Sequence, residues 1–216
     1  DRKDNEFLKT FKNEYEIIFV DDKSTDGTVE IIENLVSKNN NVNLITPDKQ
    51  KGLGNALLHG YINCKGNYVL FLDCDLSVDE RDIQNIIECR NLNSLIIGSR
   101  YLKQSKLINI NKFKIFLSYL CNLFFVKFFF IKAIDVSHSF RIFPKIIDLN
   151  HINVLSHPGF FWELTFILNK KFHLNIKEIP VTFKDRLKGV TKNSLKKMLF
   201  SCLHSLIIII SSFFKK

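Results

Sequence analysis

Asp73 and Asp75 stand two residues apart where the apolar run Tyr68-Val69-Leu70-Phe71-Leu72 ends. On a strand, residues i and i+2 point to the same side. Two carboxylates at that spacing aim hard oxygen ligands at one spot. Such a pair suits Mg²⁺ or Mn²⁺, which take one or two protein carboxylates and complete their shell with substrate phosphates. By itself the pair also fits a polar loop after a strand. A second acidic strand end upstream, Asp21-Asp22 after Glu16–Val20, favours the metal reading.

The elements that must position these groups alternate over the first hundred residues. Glu16–Val20 reads as a buried strand. Asp26-Gly27-Thr28 opens a helical pattern through Val29, Ile32, Leu35 and Val36, with Asp26 as N-cap. Val42–Thr46 is a second strand, stopped by Pro47. Gly52-Leu53-Gly54-Asn55 leads into a helix through Tyr61. Asn67–Leu72 is the third strand, Asp79–Cys89 a helix and Ser94–Gly98 a fourth strand. This alternation predicts an open, mostly parallel α/β sheet. Ligands of such sheets lie at the carboxyl ends of strands. Asp21-Asp22, Asp73/Asp75 and Ser99-Arg100 all fall at such ends.

The second half differs. Phe113–Ile134 is dense in Phe, Leu and Ile but is broken by Lys114, Ser118, Asn122, Lys127 and Lys132. These breaks weigh against a membrane span, which needs about 20 apolar residues. The pattern fits an amphipathic helix pair at a membrane interface, or a buried helical pair. Ser139–Phe143 and Ile176–Phe183 read as strands, with Phe161–Leu168 helical between them. The apolar run Met198–Phe214 lies between Lys196-Lys197 and Lys215-Lys216. A span, an interfacial helix and the start of a cut-off span all remain open for it. The domains expected are a catalytic unit over 1–192 and a C-terminal apolar helix over 193–216.

Charge divides the same way. Residues 1–100 carry 12 Lys/Arg against 17 Asp/Glu, and residues 101–216 carry 19 against 5. A basic half rich in Phe and Ile points to an anionic membrane surface or a phosphate-bearing lipid. Nucleic acid is the weaker reading, because these charges sit among long apolar runs. The five cysteines are scattered, without a C-x-x-C pair, so structural zinc is not expected. They fit reduced thiols and an active site on the cytoplasmic side of a membrane. The charged opening Asp1-Arg2-Lys3-Asp4 reads as a processed or truncated end.

Five ordered stretches resemble family 2 glycosyltransferases, within them the dolichyl-phosphate mannose synthase-like branch. Glu16 to Thr28 looks like that family's VDDgSxDGT segment. Lys51-Gly52-Leu53-Gly54-Asn55-Ala56 is similar to its helix start, and Asp73-Cys74-Asp75-Leu76-Ser77 to its D-x-D loop. Gly98-Ser99-Arg100-Tyr101, then Asp135 to Arg141, resemble its GSRY and D-x-x-S-G-F-R segments. Glu178 to Lys192 resembles its closing segment. The likeness implies a Rossmann-like, GT-A nucleotide-sugar fold with amphipathic, membrane-associated C-terminal helices. It implies inverting, metal-dependent transfer of a hexose, such as mannose or glucose, from a nucleoside-diphosphate sugar to a polyprenyl (dolichyl or undecaprenyl) phosphate.

By carry-over, Asp73, Asp75 and Ser77 hold Mg²⁺ or Mn²⁺. Asp21, Asp22, Lys51 and Gly54 join Asp73 at the donor. Arg100, Arg141, Arg186 and Lys192 face phosphate groups, and Asp75, Arg100 and Arg141 act at the reaction centre. Arg141 could instead pair structurally with Asp135, and Gly52 and Gly54 could simply shape a turn. The sequence departs from the pattern at three places. The family's P-x-Y-N-E strand is not found ahead of Glu16, His138-Ser139 stands where Ser-Gly is usual, and Thr191 replaces Ser. A chain truncated before its first strand is expected to hold donor poorly.

An acceptor phosphate is already an anion and needs no general base. A saccharide hydroxyl would need one, and Glu163 is the candidate, against a structural role as a helix-start residue or an arginine's partner. A non-catalytic, membrane-bound scaffold with a degenerate donor site is the reading from another class. His59, His151, His157, His173 and His204 show no ligand spacing.

Overall fold

The computed structural model describes residues 14–47, 52–75, 77–145, 149, 159–184 and 195–214. Lys51, Arg186, Lys192, Thr191, His151 and His157, and the boundary expected at 192, lie outside the described residues. The first half follows the predicted alternation: β1 (Ile17–Val20), α1 (Thr28–Lys38), β2 (Val42–Ile45), α2 (Leu53–Asn63), β3 (Tyr68–Phe71), α3 (Glu80–Glu88) and β4 (Ser94–Ser99). Then come β5 (Lys106–Ile108), α4 (Lys112–Phe128), β6 (Arg141–Pro144), α5 (Phe160–Phe166) with a wider π turn (Ile167–Lys171), β7 (Asn175–Pro180), β8 (Thr182–Lys184) and α6 (Leu195–Phe214).

The expected mostly parallel sheet is corrected to mixed sheets. β1 and β2 pair in parallel, as do β5 and β8. The central sheet runs β3-β6-β4-β7, and β6 lies antiparallel to both β3 and β4. All four residues of β6 are buried, so it wedges between two strands that periodicity alone would set side by side. One apolar cluster packs this sheet against α2 and α5 through Tyr61, Phe71, Phe143 and Phe160. Another fills the opposite face, where Ile86 of α3 meets Ile96, Ile142 and Val181. Gly98 permits that packing: a Cβ there would lie 2.6 Å from Val181 Cγ1 and against the ring of Phe140.

The helix starts are read correctly, with one shift. Asp79 caps α3 by accepting from the Arg81 amide at 3.2 Å. Asp26 accepts from the Thr28 amide at 3.2 Å and the Thr28 hydroxyl at 2.5 Å, one residue ahead of the actual N-cap, Gly27. The helix pair expected over Phe113–Ile134 is a single helix. Asn111 caps it, accepting from the Phe113 and Lys114 amides. It ends because Phe130 turns left-handed at φ 52°, which lets the Ile131 amide reach the Val126 carbonyl and the Phe130 amide reach that of Lys127.

The face of α4 bearing Ser118, Cys121, Asn122, Phe125 and Val126 is buried. Phe113, Phe116, Leu120, Phe124 and Phe128 remain exposed, as do Phe200, Leu203 and Ile207 on α6. Cys121, Phe125 and Trp162 join Cys202, Leu206 and Ile209 in the cluster that binds α4, α5 and α6 together. Among the described residues, no helix is long and apolar enough to cross a membrane.

Candidate active site

Two strand ends form the site's acidic side. At the end of β1, Asp21 is buried and accepts from the Ser24 amide at 2.7 Å. Asp22 accepts from the Gly52 amide at 3.3 Å, which ties β1 to the start of α2. Gly52 sits at φ 82°, a conformation that favours glycine, and Gly54 is buried in the first turn of α2. Lys23 also has positive φ, 66°. This lysine therefore stands in a left-handed turn conformation that glycine adopts at less cost.

At the end of β3, Asp73 and Asp75 are partly exposed while Ser77 is buried. The Ser77 amide donates to Asp75 Oδ1 at 3.1 Å, and the Ser77 carbonyl accepts from the Lys184 amide at 2.8 Å. Asp73 Oδ2 accepts from the Ser139 hydroxyl at 2.6 Å. Among the described residues, no three His, Cys, Asp or Glu side chains gather as a metal group. The two carboxylates beside a hydroxyl are a hard-oxygen set of the kind a Mg²⁺ or Mn²⁺ shares with substrate phosphates.

The basic side is built from the end of β4. Arg100 Nε donates to Asp135 Oδ2 and Nη2 to Asp135 Oδ1, each at 2.8 Å, and the Arg100 amide adds a third bond to Asp135 Oδ2 at 3.0 Å. Burial opposes both charges, but each more than offsets the cost for the other. The Arg100 guanidinium is held above its ordinary range, and the Asp135 carboxyl is held down at about 2. The pair is in turn oriented: Glu178 accepts from the Ile134 and Asp135 amides at 2.8 Å each. The ring of Tyr101 lies 5.3 Å from the guanidinium and that of Phe183 5.8 Å.

Arg141 does not face the opening. It is fully buried at the start of β6. Its Nε donates to the His138 carbonyl at 3.0 Å, and Nη2 to that same carbonyl and to the Val136 carbonyl. Nη1 donates to Thr165 Oγ1 at 2.7 Å and the Phe161 carbonyl at 3.2 Å. Burial lowers its pKa to about 9, against the pull of Asp135, so it stays charged at neutral pH. The direct partner of Asp135 is thus Arg100, and Arg141 fastens the 136–138 loop to α5.

Glu163 is fully buried within α5, and burial pushes its carboxyl up to about 9. It is therefore protonated at neutral pH. His138 is buried as well; burial first, and Arg100 next, push its pKa down to about 4, and the ring meets the Gly98 carbonyl through Nδ1. Sequence reasoning missed Ser137, Ser139 and Asn122 as site residues. Asn122 had left a signal as a polar break in an apolar run. Ser139 had left one as a departure from the family's glycine.

The family model for glycosyl transferase family 2 matches residues 5–149. A dolichol-phosphate mannosyltransferase of Pyrococcus furiosus is 32% identical over 183 residues, covering 82% of this chain and 50% of that protein. The dolichol-phosphate mannosyltransferase of Saccharomyces cerevisiae is 35% identical over 86 residues, 40% of this chain and 32% of that protein. The chain thus spans half or less of the length of these relatives. The crystal structure of glucosyl-3-phosphoglycerate synthase from Mycobacterium tuberculosis, in complex with UDP, superposes with a TM-score of 0.57 at 15% identity, over 87% of this chain and 68% of that one. The fold is therefore GT-A-like, with mixed sheets. A family match across most of the described first half, including both acidic strand ends and Arg100, means that this chain belongs to glycosyltransferase family 2.

Proposed function

We propose that the chain moves one sugar, with inversion at the anomeric carbon, from a nucleoside-diphosphate sugar to a polyprenyl phosphate. The observation that carries this reading is that one loop, 135–139, touches both sides of the site. It meets Arg100 at Asp135 and Asp73 at Ser139. Groups suited to a metal-bound diphosphate and to a phosphate nucleophile are therefore set by the same short segment. The relationship to dolichol-phosphate mannosyltransferases supports the lipid acceptor.

Asp73, Asp75 and Ser77 would hold Mg²⁺ or Mn²⁺. Such an ion, when bound, neutralises the charge that builds on the leaving diphosphate. Asp21, Asp22, Gly54 and Lys51 are proposed at the donor. Arg100 is proposed at the phosphates, with Arg186 and Lys192 as further candidates from the sequence. Arg100 keeps its charge because Asp135 is bonded to it, and a fixed charge of this kind can stabilise charge that develops on phosphate oxygens. Arg141 is proposed to act indirectly, by holding the loop. A phosphate nucleophile needs no base, which agrees with a Glu163 that is protonated at neutral pH. A saccharide hydroxyl acceptor would ask that same residue to be ionised.

The exposed phenyl stripe of α4, the exposed apolar side chains of α6 and the basic second half support docking on an anionic membrane surface. We place the active site at its cytoplasmic face. Incubation with a panel of nucleotide sugars, short polyprenyl phosphates and free saccharides, followed by mass analysis of all products and NMR of the anomeric linkage, tests the reading. A glycosyl phospholipid of inverted configuration is expected. Transfer only to free saccharides would overturn it. Absence of Mn²⁺-dependent nucleoside-diphosphate binding would favour the scaffold reading.

A further inference from the structure

Asn122 lies midway along α4 and is fully buried. A buried carboxamide is costly unless its donors and acceptors are met. Here they are. Oδ1 accepts from the Val136 amide at 2.8 Å and the Ser137 amide at 3.1 Å. Nδ2 donates to the Ser118 carbonyl at 2.8 Å and to the Ser137 hydroxyl at 2.9 Å. Three of these four bonds reach across from the helix to two consecutive loop residues.

Those residues sit between the two halves of the site. The Ser137 hydroxyl also accepts from Arg100 Nη2 at 2.9 Å and points its own hydrogen toward Asp135 Oδ1 at 3.4 Å. Two residues later, Ser139 donates to Asp73. One side chain of α4 therefore clamps the main chain midway between Arg100, proposed at the phosphates, and Asp73, proposed at the metal. A filler of the same volume would satisfy the packing, but it could not hold two amides and a hydroxyl in one direction.

We propose that Asn122 is a positioning residue that sets Arg100 and Asp73 together by clamping the loop at Val136 and Ser137. The inference rests on the transferase reading and deepens it. It makes the helix with the exposed phenyl stripe a structural part of the reaction centre, so that a shift of α4 moves both groups at once. Asn122 itself is fully buried and acts only through the loop.

The test compares the full chain with Asn122→Ala, Asn122→Asp and Ser137→Ala, reading kcat per folded molecule and KM for the nucleotide sugar separately. Asn122→Ala is expected to lower kcat by roughly 10–100-fold, the range for residues that orient metal ligands from behind, with a smaller rise in KM because Asp73 is proposed at the donor. Asn122→Asp keeps the oxygen that accepts from both amides and should recover part of the loss. Ser137→Ala should give a smaller loss, and the double variant should be no slower than Asn122→Ala alone, because the two act through one path. Wild-type kcat in folded Asn122→Ala, or multiplied losses in the double variant, overturns the proposal. Should Asn122→Ala not fold, wild-type kcat in Ser137→Ala overturns it.

If the unaltered chain transfers no sugar from any donor in the panel, the functional reading fails and amide hydrogen exchange decides the inference instead. Faster exchange at the Arg100 and Asp135 amides in Asn122→Ala supports the clamp. Change confined to α4 overturns it.

Discussion

Ser139 donates its hydroxyl to Asp73 Oδ2 at 2.6 Å, so a residue just ahead of β6 holds the carboxylate that follows β3. The antiparallel pairing of those strands, with Phe71 opposite Arg141, is what brings them within reach. A glycine at 139 could not make this bond. Ser139→Gly is expected to weaken Mn²⁺ binding in the presence of a nucleoside diphosphate by roughly tenfold, as for other residues that orient metal ligands from behind. Titration calorimetry reads this directly; tighter binding would show that the hydroxyl competes with the ion.

Asp135→Asn should destabilise the protein by about 3–5 kcal/mol, because it strands the buried Arg100 charge without its counter-ion. Denaturant unfolding at neutral pH measures it. The carboxyl is held at about 2, below its unfolded value near 4. The contribution of the pair is therefore fully present above about pH 4 and is lost as pH falls toward 2.

His138 and Glu163 give opposite pH slopes. The folded His138 titrates at about 4, so between about 4 and 6.5 the unfolded chain binds more protons and stability rises with pH. The folded Glu163 titrates at about 9, so from about 4.5 to 9 the folded chain binds more protons and stability falls as pH rises. These two terms oppose each other between about 4.5 and 6.5. His138→Asn should leave a falling slope in that window, and Glu163→Gln a rising one, each up to roughly 1.4 kcal/mol per pH unit. Unfolding series at several pH values check the signs.

Glu163→Gln should also leave sugar transfer within about threefold of the unaltered chain. It replaces a protonated carboxyl by a group of the same shape, and volume-conserving changes are tolerated well. Loss of turnover by orders of magnitude would mean that this residue acts as a base and that the acceptor is a hydroxyl.

Phe116→Asp with Phe124→Asp places two charges on the exposed face of α4, where the native side chains are 56% and 53% exposed. Folding should be little affected, since surface positions rarely contribute more than about 0.5 kcal/mol. Sedimentation with anionic vesicles should fall by at least tenfold, and equal binding would remove this face from the membrane contact.

The amino-acid sequence determined the order of elements through the first hundred residues, because burial periodicity and turn chemistry are local. It also placed Asp21, Asp22, Asp73, Asp75 and Arg100 at strand ends. Partner choice was decided only by the tertiary structure. Asp135 lies six residues from Arg141 and 35 from Arg100, yet its carboxylate bonds Arg100. The insertion of β6 turns Arg141 inward, where carbonyls of the loop and α5 claim its guanidinium. Asn122 read as a flaw in an apolar helix until the fold brought Val136 and Ser137 to it. A pattern along one segment tells which face is buried. It does not tell which polar groups from distant segments meet there, because that depends on strand order and on how the loops close.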